Sequence, residues 1–234
     1  MAAVVISTGI YFLGIVTKEE LMSLFSKSAP VTRAVVYCLA LMLFAFFIPF
    51  GLPLKILAFL ALSGAAALNS HELPTWSDLR KITGQVRNRL HFSIFMFLGV
   101  ITGISAAVLY RWHLDISLFP TVILPFGIVA ALIGITEELV FRGFIQGQVS
   151  NVNKWFPVVF GAFSHTAYKC CLFLSPAIQH QPDILFLAEG TFIAGIILGF
   201  FRQSSGSVWP AVVAHALFDI LIYGENVNPP WWVW

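Results

Sequence analysis

The stretch Thr136-Glu137-Glu138-Leu139-Val140-Phe141-Arg142-Gly143 sets two adjacent carboxylates, and an arginine four residues after the second, into apolar sequence. From Leu118 to Ile135 the chain carries no charge. Ionised groups at membrane depth are costly, and they normally face a protein interior or a water-filled cavity. On a helix turning about 100° per residue, Glu138 and Arg142 are i,i+4 neighbours placed for an ion pair. Glu137 projects about 100° away, with no counter-charge in its own turn. A carboxyl so placed suits a general base or acid acting on water. Two glutamates in unlike surroundings can divide the roles of acid/base chemistry between them. The competing reading is a helix-end ion pair with Glu137 facing lipid headgroups.

Two histidines weigh against that reading. Phe160-Gly-Ala-Phe-Ser-His165 places one about ten residues into an apolar span, roughly 15 Å at the helical rise. Trp209-Pro-Ala-Val-Val-Ala-His215-Ala-Leu-Phe-Asp219 places another about seven residues into the last span, with an aspartate one turn later. A lone histidine in such a helix is most often a structural hydrogen bonder. Here three separate spans carry ionisable groups at comparable depth. One pocket holding Glu137, Glu138, Arg142, His165, His215 and Asp219 is the expectation.

The elements that must position these groups read as membrane helices. The chain of 234 residues is 59% hydrophobic and 10% charged, with a mean hydropathy of +0.88; a soluble domain carries about 25% charged residues. The expected fold is an all-α polytopic membrane protein, a single domain over 1–234, with helices near 2–16, 33–50, 52–68, 91–110, 118–148, 155–175, 184–201 and 208–223. That is about eight spans, or seven if the first does not cross. Pro49 and Pro53 bracket a tight hairpin between the second and third. The N-terminus lacks a positive stretch and reads as a membrane segment, not a cleaved signal. A net charge of +2 and the lack of a basic cluster with interleaved aromatics exclude a nucleic-acid partner.

With eight spans and the N-terminus outside, one side of the bilayer collects Lys18, Lys27, Arg33, Arg80, Lys81, Arg87, Arg89, Arg142, Lys154 and Arg202, and the other only Lys55, Arg111 and Lys169. The Lys/Arg-rich side is then cytoplasmic, with the glutamate pair toward it and the tail Trp231-Trp232-Val233-Trp234 anchored outside. The polar stretch 69–90 reads as a connector beginning an interfacial helix, capped by Thr75 or Ser77, with Leu79 and Ile82 on one face. Cys38, Cys170 and Cys171 form neither a disulfide framework nor a CxxC metal spacing. His71, His91, His113 and His180 fall in connectors or at span ends. The stripes Gly99-x-x-x-Gly103, Gly143-x-x-x-Gly147 and Gly195-x-x-x-Gly199 permit close helix packing, within the chain or in a homo-oligomer.

Glu137-Glu138-x-x-x-Arg142, then a histidine in the next span, then His215-x-x-x-Asp219 after Trp209-Pro210, resemble the motifs of the CPBP family. These are the CAAX-processing and bacteriocin-processing intramembrane proteases, related to the type II CAAX prenyl endopeptidases. The resemblance covers residues 118–223, the expected catalytic core. It implies a multi-helix fold with a cavity open on one membrane face. It also implies that Glu137 and His165 activate water, that His215 and Asp219 stabilise the oxyanion, and that Glu138 and Arg142 support them. This sequence departs from the pattern twice. The aromatic usually four residues before the second-motif histidine is displaced, Phe160 being five before His165 with Phe163 as the other candidate. Asp219 stands where the third motif often has Asn, and an ionised carboxylate cannot donate to an oxyanion. Either Asp219 is protonated, or it orients His215 and leaves that ring as the sole donor.

The resulting expectation is an endopeptidase of glutamic type, without a metal cofactor, acting on a peptide or protein at the lipid bilayer of a cell membrane. Its substrate could be a prenylated CAAX tail, a leader peptide or a sorting tail. If zinc is used instead, Glu137, His165 and His215 are its ligands, although no HExxH spacing is present. Two other classes compete: a non-catalytic immunity or scaffold protein of the same fold, and a proton-coupled transporter. The lack of an internal repeat counts against the transporter.

Overall fold

The structure, a computed structural model, describes residues 30–69, 80, 82–86, 88–178 and 183–227. The expected first helix, the Thr75/Ser77 cap and the tryptophan-rich tail lie outside these residues. The chain divides into two units, Met1–Pro74 with Ala167–Ile184, and Thr75–Thr166 with Leu185–Trp234.

In the first unit α1 (Pro30–Phe47) and α2 (Leu52–Asn69) pack together. The turn between them falls where the two prolines require it: Pro49 ends one helix and Pro53 sits in the first turn of the next. Small buried residues of α1 (Ala34, Cys38, Ala45) allow close packing, and Phe44 meets Phe59 edge-on at 5.3 Å between ring centres.

The second unit holds every candidate site residue. Helix α3 (Arg89–His113) is capped by Asn88, whose side chain accepts the N–H groups of Leu90 and His91. Helix α4 (Pro125–Glu138) runs on through a wide π-helical segment, Leu139–Ile145, into a last α-helical stretch, Gln146–Gln148. Helix α5 (Phe156–Phe173), of which residues through Thr166 belong to this unit, is followed by α6 (Ile184–Ser205) and α7 (Trp209–Tyr223). Helix α7 packs on both α3 and α4. It lies so close to α3 that a Cβ on Gly99 would strike the Pro210 carbonyl, and one on Gly103 the Ala214 carbonyl. Leu198 and Phe201 of α6 with Ala211 and Ala214 of α7 form a core, against which Phe95 of α3 packs.

Among the described residues the regular elements are helices, with one isolated bridge, Gly84 to Ser207. It ties the connector before α3 to the turn between α6 and α7. Val208 N–H donates to Thr83 O at 2.9 Å, and both Gly84 and Gly206 adopt positive φ, 84° and 73°. A side chain at Gly84 would meet the Gly206 carbonyl and the Arg202 guanidinium. Ile82, expected on an interfacial face, packs instead against Gly143 of the wide turn.

Two expectations need correction. The helix expected over 118–148 starts at Pro125, because Pro120 and Pro125 interrupt the apolar run. The expected count of about eight spans is not upheld: among the described residues α1, α3 and α6 are long and apolar enough to cross a bilayer. Helix α7, with 15 residues, measures about 22 Å against a hydrocarbon core of about 30 Å. The run from α4 to Gln148 is long enough but carries Glu137, Glu138 and Arg142. Two of the elements that build the polar cluster, α7 and the run from α4 to Gln148, are thus shortened or interrupted by charge. The protein remains an all-α membrane protein.

Candidate active site

Glu137, Glu138 and Arg142 are presented by the end of α4 and its wide turn, His165 by α5, and His215 and Asp219 by α7. All six come together, as expected. Glu138 and Arg142 are completely buried and paired, Oε2 to Nε at 3.3 Å. Glu137, His165 and Asp219 are buried, while the His215 side chain is 14% exposed and forms the outermost part of the cluster. Ser164 and Thr166, which flank His165, return their hydroxyls to the carbonyls four residues back.

The hydrogen bonds fix the imidazole protons. Arg142 Nη1 lies 2.9 Å from His165 Nδ1. A guanidinium only donates, so Nδ1 accepts and the His165 proton sits on Nε2. That Nε2–H donates to Glu137 Oε2 at 3.1 Å. His215 Nδ1 is 2.9 Å from Glu138 Oε1 and donates to it. Its Nε2 faces two further carboxyl oxygens, Glu137 Oε2 at 3.8 Å and Asp219 Oδ2 at 3.7 Å. Glu137 Oε2 therefore lies between the inward-facing nitrogens of two histidines. Asp219 stands beside His215 at ion-pair range, beyond hydrogen-bond length.

The aromatic support of His165 comes from neither Phe160 nor Phe163. Phe160 stacks on Phe156, and Phe163 is exposed. Phe141, inside the Glu-Glu-x-x-x-Arg motif, stacks on the His165 ring with centres 4.5 Å apart and planes at 23°. Gly134, one turn before Glu137, was likewise not expected to matter, yet a Cβ there would collide with Asp219 Oδ2 and press on the His215 ring. The wide turn was not expected either. In it Gln146 N–H reaches Phe141 O, five residues back; such widened turns often sit at functional sites.

The arrangement does not fit zinc held by Glu137, His165 and His215. A metal-ligating histidine usually donates its second N–H to an acceptor, whereas His165 turns Nδ1 to a donor. The tautomer this enforces puts a proton, not a lone pair, on the nitrogen that would bind the ion. No group of three metal-binding side chains with suitable geometry occurs among the described residues.

A helical membrane core that converges two glutamates, two histidines, an aspartate and an arginine is a site equipped for proton transfer with water. Residues 117–221 match the family model "Type II CAAX prenyl endopeptidase Rce1-like". That segment, which contains all six candidate site residues, is similar to this family of CAAX-type endopeptidases, in agreement with the CPBP resemblance of its motifs. No curated protein and no solved structure matches the chain.

Proposed function

We propose that this chain is a multi-pass intramembrane endopeptidase that hydrolyses a peptide bond with water activated by Glu137. The observation that carries this reading is Glu137 Oε2 set between His165 Nε2 and His215 Nε2. His165 cannot be the base, because its Nδ1 accepts from Arg142 and its Nε2 already carries the proton. It holds Glu137 and the attacking water in place. Glu137 takes a proton from that water, and the hydroxide adds to the scissile carbonyl carbon. The resulting oxyanion is met by an N–H on His215 Nε2. With Nδ1–H given to Glu138, His215 acts as an imidazolium, and Asp219 is its counter-charge, not an oxyanion donor. Glu137 then returns its proton to the departing amine nitrogen as the C–N bond breaks. No step passes through a metal.

The substrate is a membrane-associated peptide or protein, with a prenylated CAAX tail first among the classes that the family supports. The Lys/Arg distribution supports a cell-membrane location with the site toward the cytoplasm. The test is proteolysis by the purified protein in detergent, using fluorogenic farnesylated CAAX and leader peptides with and without chelator. Cleavage should survive chelation. Because a general base typically contributes 10²–10⁴-fold, Glu137→Gln should lose at least about 100-fold in kcat. Full activity in Glu137→Gln would refute the assignment, and chelation-sensitive cleavage restored by Zn²⁺ would transfer the same residues to metal binding.

A further inference from the structure

Helix α6 supplies none of the six site residues, yet it carries two glycines at the spacing of a side-chain row. Gly195 and Gly199 of α6 face Arg142 of the wide turn and Gln146 just after it, which have the same four-residue spacing. A Cβ at Gly195 would lie 3.3 Å from Arg142 Nη2, and one at Gly199 would lie 3.2 Å from Gln146 Oε1. Gln146 is buried, and its Nε2–H donates to Gly199 O across the helix boundary at 2.9 Å. The same stripe admits Ala162 and Val158 of α5, so these glycines let both the polar heads and the neighbouring helix approach. The backbone N–H at position 146 closes the wide turn on Phe141 O, so the side chain that reaches Gly199 is carried at the end of that turn. The two residues that touch His165 from this turn are Phe141, by stacking, and Arg142, by the hydrogen bond that fixes its tautomer.

We propose that Gln146 is a positioning residue of the catalytic centre. By anchoring the wide turn to the Gly199 carbonyl it holds Arg142 against His165 Nδ1, and so keeps the His165 proton on Nε2 toward Glu137. Helix α6 is thereby part of the catalytic apparatus, although none of its side chains reaches the reacting atoms. An isolated buried amide–carbonyl bond would be only a packing feature. This one fixes the end of the turn whose Arg142, four residues back, sets the His165 tautomer.

The role in catalysis rests on the proposed protease reading, whereas the effect on His165 does not, so the experiment reads both. In the full chain labelled with ¹⁵N-histidine, the His165 nitrogens should show a single Nε2–H tautomer. Gln146→Met keeps the size but removes the donor, and should give a mixture of tautomers at His165 with the His215 signals unchanged. Its kcat on a cleaved peptide should fall about tenfold with KM within twofold, and the pH–rate profile should move. Gln146→Asn, which keeps the amide but is one methylene too short, should behave the same way and serves if the first variant folds poorly. A His165 spectrum unchanged in both variants would overturn the proposal, even if their melting temperatures fall. Altered tautomers in a protein that cleaves no peptide would leave the positioning role standing and count against the protease reading.

Discussion

At the level of single residues, the cluster is ordered by the contacts that fix the protons of its two imidazoles. Arg142 is the source of that order. Its Nε pairs with Glu138 and its Nη1 occupies the only acceptor position His165 has. Phe141 adds the second constraint on His165, since a stacked ring resists rotation out of the plane that points Nε2 at Glu137. An aromatic contact of this kind is worth about 0.5–1.5 kcal/mol beyond burial, and each 1.36 kcal/mol is tenfold in rate. Phe141→Leu should therefore lower kcat by roughly twofold to tenfold while the fold persists, and Phe160→Leu should not. Steady-state assays on the two variants check this, and equal losses would return the support of His165 to its own helix. The six ionisable residues that the helices bring together were legible in the sequence, because such groups stand out against apolar spans. It hid Phe141, whose type is ordinary among 23 phenylalanines, so that only proximity reveals its role. It also hid Gly134 and Gln146, because clearance and reach depend on which helix lies opposite.

At the level of helices, the same groups are set by how close the backbones lie. Helix α7 carries His215 and Asp219, and it approaches α3 where glycines remove the side chains and α4 at Gly134. The stripes were legible as small-residue packing faces; their partners were not. The wide turn of α4 was illegible for a different reason. An extra residue in one turn leaves the hydrophobic pattern almost intact, and the Glu138–Arg142 pair survives it at 3.3 Å. Overpacking a well-fitted contact costs typically about 1–3 kcal/mol. Gly103→Ala should accordingly lower the melting temperature in detergent. It should also reduce activity, because the Ala214 carbonyl it displaces adjoins His215. Gly190→Ala on α6, where a Cβ meets nothing within 4 Å, should change neither. Equal melting temperatures for Gly103→Ala and the unaltered protein would show that the α3–α7 spacing is not what places His215.

At the level of the whole second unit, α7 is held at both ends. Its start is tied to the connector by the Val208–Thr83 hydrogen bond. Its end is held by Arg111, which entered the sequence reading as one of three charges on the sparsely charged side and is in fact buried. Its Nε donates to Ser117 O at 2.5 Å, its Nη1 to Leu221 O at 2.8 Å, and its Nη2 to Ser117 Oγ at 2.9 Å and Glu225 Oε2 at 2.7 Å. Glu225 Oε1 in turn accepts from the N–H and hydroxyl of Thr121. The Arg111 guanidinium and these Thr121 donors hold the Glu225 carboxyl down at about 2, from an ordinary value of 4.5. A carboxyl depressed in the folded state contributes stability that is complete above its unfolded pKa and disappears as pH falls through the folded one. Glu225→Gln should therefore melt below the unaltered protein at pH 7, by a margin that is constant down to about pH 5. The margin should shrink below pH 4.5 and nearly close toward pH 2, because the native carboxyl then becomes neutral as well. Taking the difference between the two proteins removes the titration of the other carboxylates, provided that they are not coupled to this one, and Glu225 lies beyond the end of α7, away from the cluster at Glu137. A margin that stays constant down to pH 2.5, or no margin at pH 7, would show that the clamp does not secure the helix carrying His215 and Asp219.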